Sequence, residues 1–172
     1  MDLYVQLARN TVNTYIRTGK VYAPAPSELT EDMANTRAGA FVSIHEHGEL
    51  RGCIGTIAAT RETLAKEIIG NAISASTEDP RFLPIRAEEL PDLEISVDVL
   101  GPFEPVSSIT ELDVKRYGVI VEKGYRRGLL LPDLEGVDTV EYQVAIAKRK
   151  AGIRDDEPGV KLYRFEVIRH EE

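Results

Sequence analysis

The stretch Gly39-Ala40-Phe41-Val42-Ser43-Ile44-His45-Glu46-His47-Gly48-Glu49-Leu50-Arg51-Gly52-Cys53-Ile54-Gly55-Thr56-Ile57 decides the fold. Residues 39–44 and 49–57 read as two strands. The tetrapeptide His45-Glu46-His47-Gly48 between them reads as a tight turn, because Gly48 can take the positive φ that such turns require. Strands joined so closely pair antiparallel. A turn at Glu46-His47 sets His45 against Gly48 and Cys53 against Ala40.

Upstream, Leu3, Leu7, Val12, Tyr15 and Ile16 fall at helical spacing, and Gly19 is placed to end that helix. Residues 21–28, with Pro24 and Pro26, read as an extended connector, and residues 30–37 as a short helical turn. Downstream, Thr60 could cap a second helix whose apolar face is Leu64, Ala65, Ile68, Ile69, Ala72 and Ile73. Residues 94–100 alternate, with Ile95, Val97 and Val99 on one face and Glu94, Ser96 and Asp98 on the other. A second hairpin is expected over 117–122 and 127–131, turning near Lys123-Gly124. Asp138 and Glu141 have capping-box spacing and open a third helix that ends near Gly152. Residues 161–169 supply a last strand, with Tyr163, Phe165 and Val167 on one face.

This order predicts an α+β fold, an antiparallel sheet with flanking helices, arranged as two lobes around one core with a boundary near 101–108. The 172 residues suit a single domain, 1–172. Hydrophobic content of 42% and charged content of 29% are ordinary for a globular chain. No apolar run approaches the roughly 20 residues that span a bilayer. The opening Met1-Asp2-Leu3-Tyr4 lacks the layout of a signal peptide, and the lone cysteine fits a reducing cytoplasm. A net charge of −8 argues against binding a phosphate backbone. The basic pairs and triplets at Arg126-Arg127 and Lys148-Arg149-Lys150 fit a hairpin surface and a helix end.

Cys53 is the first candidate for chemistry. On a regular strand Arg51, Cys53 and Gly55 share one face, so a guanidinium could lie beside the thiol and favour its thiolate. Gly52 and Gly55 would let a ligand or backbone approach closely. The structural alternative is a packed cysteine acting as a small hydrophobe. With the turn as placed above, His45 lies roughly 16 Å along the ladder from Cys53 and cannot serve as its base. His170, two residues from the end of the sequence, is expected to be loosely held. His45 and His47, with Glu46 or Glu49, have strand spacing for a metal, but a solvated turn explains them and no metal is expected.

The second candidate is Glu78-Asp79-Pro80-Arg81-Phe82. It follows a helix, so two carboxylates face the negative end of the helix dipole unless a cation compensates. Glu78 and Asp79 could move protons while Arg51 and Arg81 hold an anion. Equally, the segment could be an ion-pair knot that fixes the helix exit. Glu94, Ser96 and Asp98 could line a groove. Leu129-Leu130-Leu131-Pro132 reads as a core strand and its end. No phosphate-loop, dinucleotide or paired-cysteine pattern is present, so no cofactor is expected.

Several of these segments together resemble the AMME chromosomal region protein family, known in prokaryotes as AmmeMemoRadiSam system protein A. They are Gly39-Ala40-Phe41-Val42, Leu50-Arg51-Gly52-Cys53-Ile54-Gly55, Asn71-Ala72, Glu78-Asp79-Pro80-Arg81-Phe82, Leu93-Glu94-Ile95-Ser96-Val97, Gly128-Leu129-Leu130-Leu131-Pro132 and Lys150-Ala151-Gly152-Ile153. The resemblance implies an α+β domain and no established reaction. It also implies partners, a radical-SAM protein and a Memo-like protein, with some members fused to the latter. Some members carry a cysteine before the Lys-Ala-Gly element, where this chain has Ala147-Lys148-Arg149, so a two-cysteine mechanism cannot operate here. Two functions follow as expectations. One is an enzyme or modifying factor built on Cys53, Arg51, Gly52, Gly55, Glu78, Asp79 and Arg81. The other is a non-catalytic interaction module.

Overall fold

A computed structural model describes all 172 residues. The fold is α+β, with two four-stranded antiparallel sheets and flanking helices. The chain divides into two units, one of residues 1–100 and 168–172 and one of 101–167. The expected boundary falls at its first residue, Gly101. Each unit carries its own hydrophobic cluster, so the continuous core expected from sequence is two cores.

In the first unit, α1 (Leu3–Thr18) begins where the Asp2 side chain accepts from Tyr4 N–H and Val5 N–H. It ends at Gly19 in the left-handed region, with φ of 72°. A short α2 (Glu31–Asn35), capped by Thr30, precedes the hairpin of β1 (Ala40–Glu46) and β2 (Glu49–Gly55). Then come α3 (Leu64–Thr77) and β3 (Leu93–Leu100). A last strand, β8 (Val167–His170), returns beside β3, giving the order β2-β1-β3-β8. Ala40, Val42 and Ile44 of β1 and Ile95 and Val97 of β3 are buried beneath α1 and α3. Gly52 admits α3, since a Cβ there would stand 2.1 Å from the Ala75 carbonyl oxygen.

The second unit contains β4 (Glu104–Val106), β5 (Gly118–Lys123), β6 (Arg126–Leu130), α4 (Val140–Ala151) and β7 (Lys161–Phe165). Its sheet runs β4-β7-β5-β6, and α4 lies over β5 and β6 with Val144 and Ala147 buried.

Several local expectations need correction. The first turn sits at His47-Gly48, both with positive φ, and a bulge falls between Ile44 and His45. Cys53 therefore pairs with Ser43 instead of Ala40. α3 is capped by Thr63, whose hydroxyl oxygen accepts from the Lys66 N–H, while the Thr60 N–H and hydroxyl donate to Glu67 three residues inside the helix. α4 is capped by Thr139, one residue after Asp138. The expected last strand breaks at Glu166 into β7 and β8, which serve different sheets. His170 is not loose: its ring stacks on Tyr4 at 3.8 Å and its Nδ1 lies 2.7 Å from Asp2.

Candidate functional site

The bulge in the first hairpin determines what stands beside Cys53. Strand alternation turns Ala40, Val42 and Ile44 toward the helices, so Phe41, Ser43 and His45 occupy the opposite face. Register then gives that face Gly55 and Cys53 from β2 and Asp98, Ser96 and Glu94 from β3. Cys53, Ser43 and Ser96 form one cross-strand row. The Ser43 Oγ and Cys53 Sγ lie 3.3 Å apart, a hydrogen-bonded pair in which either can donate. Cys53 is half-buried. The Phe41 ring lies over Gly55, where a Cβ would come within 2.2 Å of it. Asp98, buried on the same face, is held by Arg169 through Nε at 2.7 Å and Nη2 at 3.1 Å. His45 is one same-face step from Ser43, about 7 Å along the strand. The sequence-based distance that excluded it from the thiol is therefore too long.

β2 is the edge strand, so backbone groups on its outer side have no neighbouring strand. At Cys53 the Asp79-Arg81 pair supplies what a strand would. The Cys53 N–H donates to Asp79 Oδ2 at 3.0 Å, and Arg81 Nη2 donates to the Cys53 carbonyl at 3.3 Å. Arg81 grips Asp79 through Nε at 3.0 Å and Nη2 at 2.7 Å, and its backbone N–H adds a bond of 3.0 Å. These bonds, Arg81 foremost, hold the buried Asp79 carboxyl well below the usual carboxylate range, against the opposing cost of burial. Arg81 is raised above its ordinary value, chiefly by Asp79 and in smaller part by attraction to Cys53. Its side chain is 55% exposed. An ionised, fully engaged Asp79 positions its neighbours; it has no proton to give at neutral pH.

The other sequence candidates are placed elsewhere. Arg51 is the extra residue at the bulge, since Leu50 pairs with His45 and Gly52 with Ile44. Its guanidinium donates through Nε to Glu89 Oε1 at 2.9 Å, through Nη1 to the Leu83 carbonyl at 2.8 Å, and through Nη2 to Pro84 and Glu89. Arg51 thus ties β2 to residues 83–89. Its hydrogen bonds bring Glu89 down to about 2, while burial and the adjacent Glu89 push Glu46 up. Glu78 is exposed at the end of α3. His47 meets Glu46 and Asp92 in a charge cluster in which His47 and Asp92 are exposed; His45 is not part of it. Ser43, Glu89 and Arg169 were missed. Placing the turn one residue later would have set Cys53 against Val42, and only the bulge at Arg51 as well brings Ser43 opposite it.

Fold and site together define a two-unit α+β protein with a serine–cysteine pair on one sheet face and an aspartate–arginine clamp on the edge strand that carries the cysteine. The AMMECR1 family model matches residues 5–170, and the chain belongs to that family. A Thermotoga maritima protein is 55% identical over 97% of this chain and 96% of its own length. A Clostridium acetobutylicum protein is 48% identical over 99% of this chain, which spans only 36% of that longer protein. Among solved structures, the crystal structure of the uncharacterized protein PH0010 from Pyrococcus horikoshii superposes with a TM-score of 0.89. It is 33% identical, over 98% of this chain and 89% of its own. No helix of this chain is long and apolar enough to cross a membrane.

Proposed function

We propose that this protein is a thiol-dependent modifying factor in which Cys53 is the nucleophile. One observation carries the reading: the half-buried sulfur lies 3.3 Å from a hydroxyl, on a residue whose N–H and carbonyl are both clamped by Asp79 and Arg81. Fixing the backbone on both sides orients the sulfur, and preorganisation of this kind lowers the cost of reaching a reactive geometry. Ser43 can donate a hydrogen bond to a thiolate. Arg81 adds positive charge, and its exposed side chain can meet an anionic group on the substrate. Arg51, with its donors committed to Glu89 and two carbonyls, serves as a brace. Gly52 and Gly55 serve close packing by Ala75 and Phe41.

The test is alkylation of Cys53 in the native protein across pH, with a denatured control and Cys53→Ser as a blank. Native-state labelling that slows in Ser43→Ala and in Arg81→Gln supports the reading. Labelling only after unfolding overturns it.

A second reading, an interaction module for a radical-SAM or Memo-like partner in the cytoplasm, draws on two observations. The matched region is about a third of the Clostridium protein, so members of the family occur inside longer chains. Leu83, two residues after Arg81, is 82% exposed. Co-purification that survives Cys53→Ser and fails in Leu83→Asp would favour it.

A further inference from the structure

Within the first unit a pocket of about 660 Å³ shares no residue with the Cys53 cluster. Val21, Tyr22, Pro24 and Leu29 form one wall, and Ile69 and Ile73 of α3 form the other. The volume lies inside the range of roughly 300–1,000 Å³ typical of small-molecule sites, and the walls are apolar as such sites usually are.

Two cations line this pocket. Lys66 is paired at 2.9 Å with Glu62, and both side chains are largely in water. Arg61 is held differently. The buried Glu67 carboxylate accepts from Thr60, Thr56 and the Arg61 N–H, and then from Arg61 Nη1 at 2.6 Å. Those bonds outweigh burial and keep Glu67 below its ordinary range, so its charge anchors the guanidinium. The guanidinium lies against Gly70, where a Cβ would come within 2.3 Å of Cζ, 2.4 Å of Nη2 and 2.5 Å of Nε. Glycine is therefore what lets the arginine lie across the helix into the pocket. Nη1 is spent on Glu67, while Nε and Nη2 find no acceptor in the protein. That edge of a guanidinium presents two parallel N–H groups and receives a carboxylate bidentately.

We infer that this pocket binds a small monocarboxylic acid with an apolar body. The carboxylate sits on the Nε–Nη2 edge of Arg61 and the hydrocarbon lies against Ile69 and Ile73. The apolar walls supply most of the affinity, and the arginine edge supplies the selection for an acid over a neutral molecule of the same shape. The site goes beyond the thiol reading and stands independently of it.

The test uses the full chain with isotope-labelled isoleucine methyls, titrated at neutral pH with decanoate and separately with 1-decanol, both below their aggregation limits. Decanoate is expected to shift the Ile69 and Ile73 methyls to saturation, with decanol binding about tenfold more weakly or worse. Arg61→Gln is expected to erase the difference between acid and alcohol. Ile69→Trp fills the pocket without touching the Glu67 network, and is expected to abolish binding of both even if Arg61→Gln is poorly stable. Cys53→Ser is expected to bind decanoate normally. Equal binding of acid and alcohol, no saturation, shifts centred elsewhere, or unchanged binding in Ile69→Trp would each overturn the inference.

Discussion

Asp79→Asn isolates the clamp on the edge strand, because it removes a charge while keeping the shape. The wild-type carboxylate accepts from the Cys53 N–H and from the backbone N–H, Nε and Nη2 of Arg81. An asparagine keeps one acceptor oxygen and turns an NH₂ toward groups that are themselves donors. Hydrogen bonds to a charged group contribute about 1.5–3 kcal/mol each. The guanidinium side of the pair is 55% exposed, so water replaces much of what is lost there. The net loss is expected to be about 2 kcal/mol, concentrated at the Cys53 amide and the end of α3. For a chain of this size that lowers the melting temperature by roughly 4–8 °C. Urea unfolding followed by circular dichroism gives the stability, and hydrogen exchange over residues 49–55 gives the local effect. Exchange at Cys53 is expected to accelerate about 30-fold, the local equivalent of 2 kcal/mol. A stability change below about 0.5 kcal/mol with unaltered exchange at Cys53 would refute the clamp.

Acid should unfold the protein in a defined window. Glu89 titrates in the folded state at about 2, below the roughly 4.3 of a free glutamate, and Asp79 is shifted in the same direction. Their stabilisation is complete above about pH 5 and is lost as pH falls toward 2, whereas Glu46, shifted upward, gains on protonation and blunts the decline. Glu89→Gln is expected to lower stability at pH 7 and flatten the acid limb, as measured by urea midpoints from pH 2 to 7. Arg51→Gln strands Glu89 beside Glu46 and is expected to cost about 3 kcal/mol. Its native-state Cys53 labelling should stay near wild type at a pH and temperature where it remains folded. A selective loss of labelling would return Arg51 to the reactive site. Gly52→Ala drives a Cβ into the Ala75 carbonyl and is expected to cost about 3 kcal/mol or more, read from the same urea curves.

The elements of this fold were legible where local chemistry dictates them. Helical spacing and Gly19 marked α1, alternation marked β3, and the glycine before Glu49 marked the first hairpin. Non-local competition hid the rest. Thr60 has the chemistry of a helix cap, but the cap is Thr63, and Thr60 instead donates to the buried Glu67. The residues from Lys161 to Arg169 read as one strand, and the break at Glu166 serves two sheets that no local pattern announces. At the site, the association of Cys53 with the Asp79-Arg81 segment was among the sequence candidates. Arg51's true partner was not: a bulge changes which residue faces which without altering composition, and Glu89 lies in a segment that offered no motif.

The central claim is that Cys53 is an oriented, reachable thiol. Its most direct test is the alkylation rate of the folded protein against pH, compared with Ser43→Ala and Arg81→Gln under conditions where all three are folded. The lone cysteine assigns every labelling event to one sulfur. Wild type is expected to label well faster than it unfolds, and each variant to label several-fold more slowly. A wild-type rate equal to the rate of global unfolding, with no change in either variant, would contradict the claim and leave Cys53 a packing residue.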